Sequence, residues 1–250
     1  MFDFSNLRMR YEPFPIGLAR PLIEDSFYRD LVRTYPEPGM FAYFPKVGHK
    51  YALSEKNNRD KYLGFIQGTP CWRELHGWVK TDGFIVAVMD ALRERHVDLG
   101  YHGRTPFAKR VSKAARNLRR GAVRWQAAGL SARFEFSMLP ADGGCVVPHT
   151  DTPGKVVTLV ISMAGVEEWD AAFGGGTDVN RHRDPALSFN HLNRRAEFEE
   201  MEILETFEFS PNQAVVFVKT FNSWHSVRPM SGAGSKAMRR TLTINIEEAL

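Results

Sequence analysis

Apolar residues along this chain keep two different spacings. In the first half they recur every three or four positions. Glu24–Thr34 carries Phe27, Leu31 and Val32 at that spacing and predicts a helix ending before Pro36. Phe84 to Arg95 repeats the pattern with Phe84, Val88, Ala91 and Leu92, with Asp82 as its expected N-cap. A third helix is expected near residue 115, where Val111, Ala115, Leu118 and Ala122 would line one side and Lys109, Lys113, Arg116 and Arg120 the other. Near Ser131 the pattern changes to short β-rich runs: Ala132–Met138, Cys145–His149, Val156–Met163, Ile203–Phe209, Ala214–Val218 and Arg240–Ile246. Most are bounded by Gly, Pro, Asn or Asp, which predicts an antiparallel β-sandwich or jelly roll. The expected class is mainly β with a helical N-terminal part (α+β). Residues 1–130 form a helix-rich support and 131–250 the β core of a single unit spanning 1–250.

Composition narrows the function classes. The 250 residues are 43% hydrophobic and 25% charged, as in an ordinary folded domain. No apolar run approaches the roughly 20 residues of a membrane span, and Met1-Phe2-Asp3-Phe4 lacks the basic start of a secretion signal, so the cytoplasm is the expected location. Two cysteines, Cys71 and Cys145, without a CxxC pair exclude zinc fingers and disulfide frameworks. The net charge of +4 has a local origin. Eight Lys and Arg lie between Arg104 and Arg124 with no acid among them, leaving 25 basic against 29 acidic residues elsewhere.

The chemistry concentrates in three places. Pro148-His149-Thr150-Asp151 offers an imidazole and a carboxylate two residues apart, which on a strand would point to one face and reach one ion. Alone, such a pair arises readily by chance. His225 follows the apolar run Ala214–Val218 and is the candidate third ligand from another strand; His182 and His191, in a polar stretch from Asp178 to Glu200 that reads as a surface loop, are the alternatives. Two His and one carboxylate form the facial triad of non-haem iron sites. Beyond His225, Arg239-Arg240-Thr241-Leu242-Thr243-Ile244 reads as a strand with Arg239, Thr241 and Thr243 on one face. Arg239 is the candidate fork for the distal carboxylate of a dicarboxylate cosubstrate, with the Thr241 hydroxyl beside it. Arg240 shares its face with Leu242 and Ile244 and is expected to point away.

This order of His-x-Asp, distant His and Arg-x-Thr resembles the 2-oxoglutarate/iron(II)-dependent oxygenase superfamily, and most of all its prolyl-4-hydroxylase-like branch. The Gly174-Gly175-Gly176-Thr177 turn, the Asn222–Val227 stretch and the Tyr11-Glu12-Pro13-Phe14-Pro15 opening are similar to that branch as well. The likeness covers about Ala132 to Glu248. It implies a double-stranded β-helix of the jelly-roll or cupin kind, with His149, Asp151 and His225 on iron(II) and Arg239 and Thr241 on 2-oxoglutarate. It further implies O2 as co-reactant, ascorbate as a reductant, and hydroxylation of a primary substrate with release of succinate and CO2. Leu139 departs from the pattern: protein prolyl hydroxylases often carry a tyrosine there, which argues against a prolyl substrate. The carboxylate of Asp151 argues against halogenation, since related halogenases have a small residue there.

Two other readings follow from the same residues. A β-barrel binding protein with an adventitious metal would need His149, Asp151 and His225 but not Arg239. An oxygenase with a nucleic-acid-associated or otherwise anionic substrate would use the Arg104–Arg124 segment, although clustered Lys and Arg more often form a solvated helix face. Neither the primary substrate nor the oligomeric state is written in the sequence.

Overall fold

The computed structural model describes residues 1–101, 129–165 and 168–248. Strands β1 (Arg8–Arg10) and β2 (Ile16–Ala19) precede helix α1 (Asp25–Arg33), and β3 (Ala42–Phe44) and β4 (Lys50–Ser54) follow it. Helices α2 (Arg59–Gly68), α3 (Pro70–Val79) and α4 (Asp82–Arg93) complete the first half. The second half contains β5 (Leu130–Pro140), β6 (Val146–His149), β7 (Lys155–Ser162), β8 (Thr177–His182), β9 (Met201–Phe207), β10 (Ala214–Val218), β11 (His225–Val227) and β12 (Met238–Glu248). The chain is mainly β. Eight strands form one antiparallel sheet in the order β1-β2-β10-β7-β12-β5-β4-β3, and four form another in the order β6-β11-β8-β9.

Alternation in the long strands explains the layering. On β5, Phe134, Phe136 and Met138 enter the main hydrophobic core, whereas Arg133, Glu135, Ser137 and Leu139 face the opposite way. Leu242, Ile244 and Ile246 of β12 and Val157, Leu159 and Ile161 of β7 join the same core. Trp72 and Leu75 of α3 and Phe84 and Val88 of α4 cover it from the helical side. The other face of the large sheet is therefore free to carry polar groups. A smaller apolar cluster, Phe14, Ile16, Val179, Val215 and Phe217, draws residues from both sheets.

Helices α1 and α4 keep close to their expected limits, whereas α2 and α3 are not among the expected elements. Glu24 caps α1 by accepting from the backbone N–H groups of Ser26 and Phe27. On α4 the cap is Thr81, whose hydroxyl accepts from Phe84 N, rather than Asp82, which is already inside the first turn. Strands β1 to β4, which no clear alternation announces, extend both edges of the large sheet. The stretch expected as a loop from Asp178 opens instead inside β8, and His182 at its end is buried against Trp224 rather than at the surface. His191 is exposed. The expected basic helix and the whole Arg104–Arg124 segment lie outside the described residues. Among the described residues no helix is long and apolar enough to cross a membrane.

Candidate metal and cosubstrate site

Strands β6 and β11 pair so that His149 stands directly opposite His225, their ring centroids 4.3 Å apart. Asp151 joins them by a route other than strand alternation. β6 ends at His149, and Asp151 takes a left-handed backbone with φ of 63°. That turn, a conformation Asp tolerates better than most residues, swings the carboxylate back towards the histidines. One donor atom from each of the three side chains lies within 4.8 Å of the others.

The state of each donor is fixed by its surroundings. His149 Nδ1 lies 2.9 Å from the carbonyl of Val147, and His225 Nδ1 lies 2.9 Å from that of Ser223. A carbonyl only accepts, so each Nδ1 carries a hydrogen, and in the neutral ring Nε2 is the nitrogen that keeps its lone pair. His225 is buried, and this desolvation, together with the neighbouring His149, pushes its pKa down to about 3. Burial pushes Asp151 upward, but His149, Lys155 and His225 outweigh it and hold the carboxyl well below its usual range. Lys155 Nζ donates to Asp151 Oδ1 at 2.5 Å, and the Thr158 hydroxyl donates to Oδ2 at 3.0 Å. Two unprotonated imidazole nitrogens and an ionised carboxylate are a donor set that suits a divalent first-row metal such as iron(II).

The triad faces a cavity of about 230 Å³ against the large sheet. Arg239, Thr241, Thr243 and Asn245, successive inward positions of β12, line it together with Ser137 and Leu139 of β5. Arg240 turns to the other side of the sheet, over the ring of Tyr35 and paired with Glu168. Arg239 is buried, donates Nε–H to the carbonyl of Gly175 at 2.5 Å, and lies over the ring of Phe209. Burial lowers its pKa to about 10, so it is cationic at neutral pH. Among the described residues it has no acidic partner. Such a charge, removed from water and unpaired, is costly unless an anion meets it. Thr241 is buried beside it, its hydroxyl 3.4 Å from the carbonyl of Ser137.

Several lining residues were not singled out from the sequence. Thr158 is the polar residue inside the apolar run Lys155–Ser162, and Arg133 and Glu135 alternate with Phe134 and Phe136. A charged or hydroxyl side chain at the inward beat of a buried strand is the signal that marks all three. Asn222 serves a turn, donating to the carbonyl of Pro13, and Lys219 lies over the ring of Phe221.

No model of a known protein family and no curated protein matches the chain. Solved structures do. The non-haem alpha-ketoglutarate-dependent epimerase SnoN from nogalamycin biosynthesis is 13% identical and superposes with a TM-score of 0.53, over 96% of this chain and 81% of that one. A prolyl 4-hydroxylase from Phytophthora capsici is 15% identical with a TM-score of 0.51, over 94% of this chain and 59% of that one. At these identities the likeness is one of fold. The fold is thus one shared with an alpha-ketoglutarate-dependent epimerase and with a prolyl 4-hydroxylase.

Proposed function

We propose that this protein is an iron(II)- and 2-oxoglutarate-dependent dioxygenase, a hydroxylase built on a double-stranded β-helix and working as one catalytic unit. The observation that carries the reading is a pairing within one cavity: the His149, Asp151 and His225 donors stand on one wall, and the buried Arg239, without an acidic partner among the described residues, stands on another. A barrel that merely bound a metal would have no use for that arginine.

In this reading His149, Asp151 and His225 hold iron(II) through Nε2, a carboxylate oxygen and Nε2. Arg239 binds the distal carboxylate of 2-oxoglutarate, and Thr241 lies beside it. When bound, the metal and cosubstrate supply the oxidising chemistry, with O2 consumed and succinate and CO2 released. The chain's own part is to position and to exclude water. The carbonyls of Val147 and Ser223 fix both imidazole tautomers, Thr158 orients the carboxylate, and Leu139 with Val227 lines the apolar side of the cosubstrate pocket, backed by Met230. Leu139 occupies the register position opposite Arg239, so no phenol is available there.

The test is anaerobic titration of iron(II)-loaded protein with 2-oxoglutarate, followed by the weak visible metal-to-ligand charge-transfer band. The expected band is lost in His149→Ala and weakened in Arg239→Ala. Its absence from folded, iron-loaded wild type would overturn the oxygenase reading.

A further inference from the structure

The cavity has two ends of different character. Arg239 and Thr241 are 5% and 3% exposed and form its closed end. At the other end stand Arg133 and Lys155, with side chains 19% and 12% exposed, and Lys50, whose backbone lies in the row of Leu139, reaches towards them only through Glu135. This is the end that meets solvent, and it is where a primary substrate would enter. Arg133 of β5 and Lys155 of β7 are brought together by their places opposite Asn245 and Glu247 of β12, the strand between them.

Their partners are few. Lys50 Nζ donates to Glu135 Oε1 at 2.8 Å, and Arg133 donates to Glu135 Oε2 and to Glu247 Oε1, both at 2.9 Å. Two carboxylates thus balance two cations. Glu135, near enough to Lys155 to feel its charge, is already bonded to Lys50 and Arg133. Among the described residues Lys155 donates only to Asp151, through the oxygen that also lies 3.5 Å from His149 Nε2. Its partner is therefore a member of the donor set itself. Any divalent ion held by Asp151 takes that negative charge for itself.

The balance of charge in the loaded pocket follows. The ion's two positive charges are met by Asp151 and by the near carboxylate of 2-oxoglutarate, and Arg239 is met by the distal one. Lys50 and Arg133 keep Glu135 and Glu247. One positive charge is left over, on Lys155, at the entrance and largely shielded from water. A largely desolvated charge without a partner is costly, so the site favours a ligand that brings one negative charge. The Arg133 guanidinium beside it adds donors of the geometry that suits an oxyanion.

Resting on the oxygenase reading, we propose that the primary substrate carries a carboxylate-sized anionic group and that Lys155, seconded by Arg133, binds it. This assignment draws on the cavity alone and not on the Arg104–Arg124 segment.

The test uses protein loaded with manganese(II) and saturating 2-oxoglutarate, with acetate and its neutral counterpart acetamide as probes small enough to enter any such pocket. The readout is the paramagnetic relaxation that the ion imposes on each probe's methyl protons, compared with that on the 2-oxoglutarate protons. Acetate is expected to be relaxed at least fivefold more strongly than acetamide in wild type. That excess is expected to vanish in Lys155→Met and to persist in Lys155→Arg, each variant being measured at a manganese(II) concentration raised until 2-oxoglutarate is relaxed as in wild type, since Lys155 also contacts Asp151. Equal relaxation of acetate and acetamide, or an acetate effect that survives in Lys155→Met, would overturn the assignment. Loss of relaxation on 2-oxoglutarate in wild type would instead overturn the oxygenase reading beneath it.

Discussion

Arg239 and Gly175 are built around one another. The guanidinium Nε–H is held by the Gly175 carbonyl, and a Cβ placed on Gly175 would lie 3.1 Å from Arg239 Cδ, Met230 Sδ and Trp169 Cζ2. Gly175 also has φ of 83°, a backbone region that side chains resist. The glycine turn therefore sets where the fork for an anion points.

Gly175→Ala is expected to weaken 2-oxoglutarate roughly tenfold, because a left-handed alanine costs about 1 kcal/mol before the crowding of Arg239 is counted. Metal affinity should be unchanged. Separate titrations of manganese(II) and of 2-oxoglutarate check this, and an equal loss in both would show that the turn supports the whole cavity instead.

Thr158→Val keeps the shape of the side chain and removes the hydroxyl that donates to Asp151 Oδ2. Removal of such an outer partner typically costs about 10–100-fold in metal affinity. A loss within that range is expected, measured by competition with a chelator, while His225→Ala should lose more. Wild-type affinity in Thr158→Val would mean that the Asp151 carboxylate needs no hydroxyl to orient it.

His76 gives a stability effect separate from the metal. It is half-buried between Tyr62 and Phe134, its Nε2 has no hydrogen-bond partner among the described residues, and burial lowers its pKa from 6.5 to about 4. Between those values the unfolded chain binds a proton that the folded chain refuses. Stability is thus fully present above about pH 6.5 and is lost as pH falls towards 4. Denaturant melts of metal-free protein at pH 7 and pH 4 should show that His76→Leu loses less stability over this interval than wild type, by on the order of 2 kcal/mol.

Phe136 lies at the centre of the aromatic core, in ring contact with Tyr35, Tyr62, Phe65, Trp72 and Phe134. Truncation to alanine should cost about 3–5 kcal/mol. Thermal or urea unfolding reads this directly. A cost under 1 kcal/mol would show that the helices and the large sheet are not joined there.

The legible part of the fold was the part governed by local repetition. Strand β10 lies where its apolar run places it, β5 and β12 extend the predicted run at both ends, and β7 is the predicted run shifted by one residue. Arg239 was separable from Arg240 because a strand has only two faces and Leu242 and Ile244 already claimed one. His149, Asp151 and His225 were named from residue type and order, yet the geometry that joins Asp151 to His149 is a left-handed turn that alternation does not encode. Strands β1 to β4 are short or irregular in pattern and depend on the sheet edges they join. His182 was misplaced because polar neighbours suggested a surface, whereas Trp224, 42 positions further on, covers it. Lys155, Arg133 and Glu135 escaped for a similar reason: what they do depends on which strands become neighbours.

The pairing of β6 with β11 gives an ion at this site mechanical significance. The two imidazoles belong to segments 76 residues apart, and they meet in a sheet of only four strands. An ion gripping both would act as a rivet through adjacent strands, closing a long loop whose ends are otherwise tied by a short ladder with an irregular register. Stripping such an ion would therefore loosen the smaller sheet first, leaving the helix-backed sheet, with its larger core, as the more durable half of the molecule.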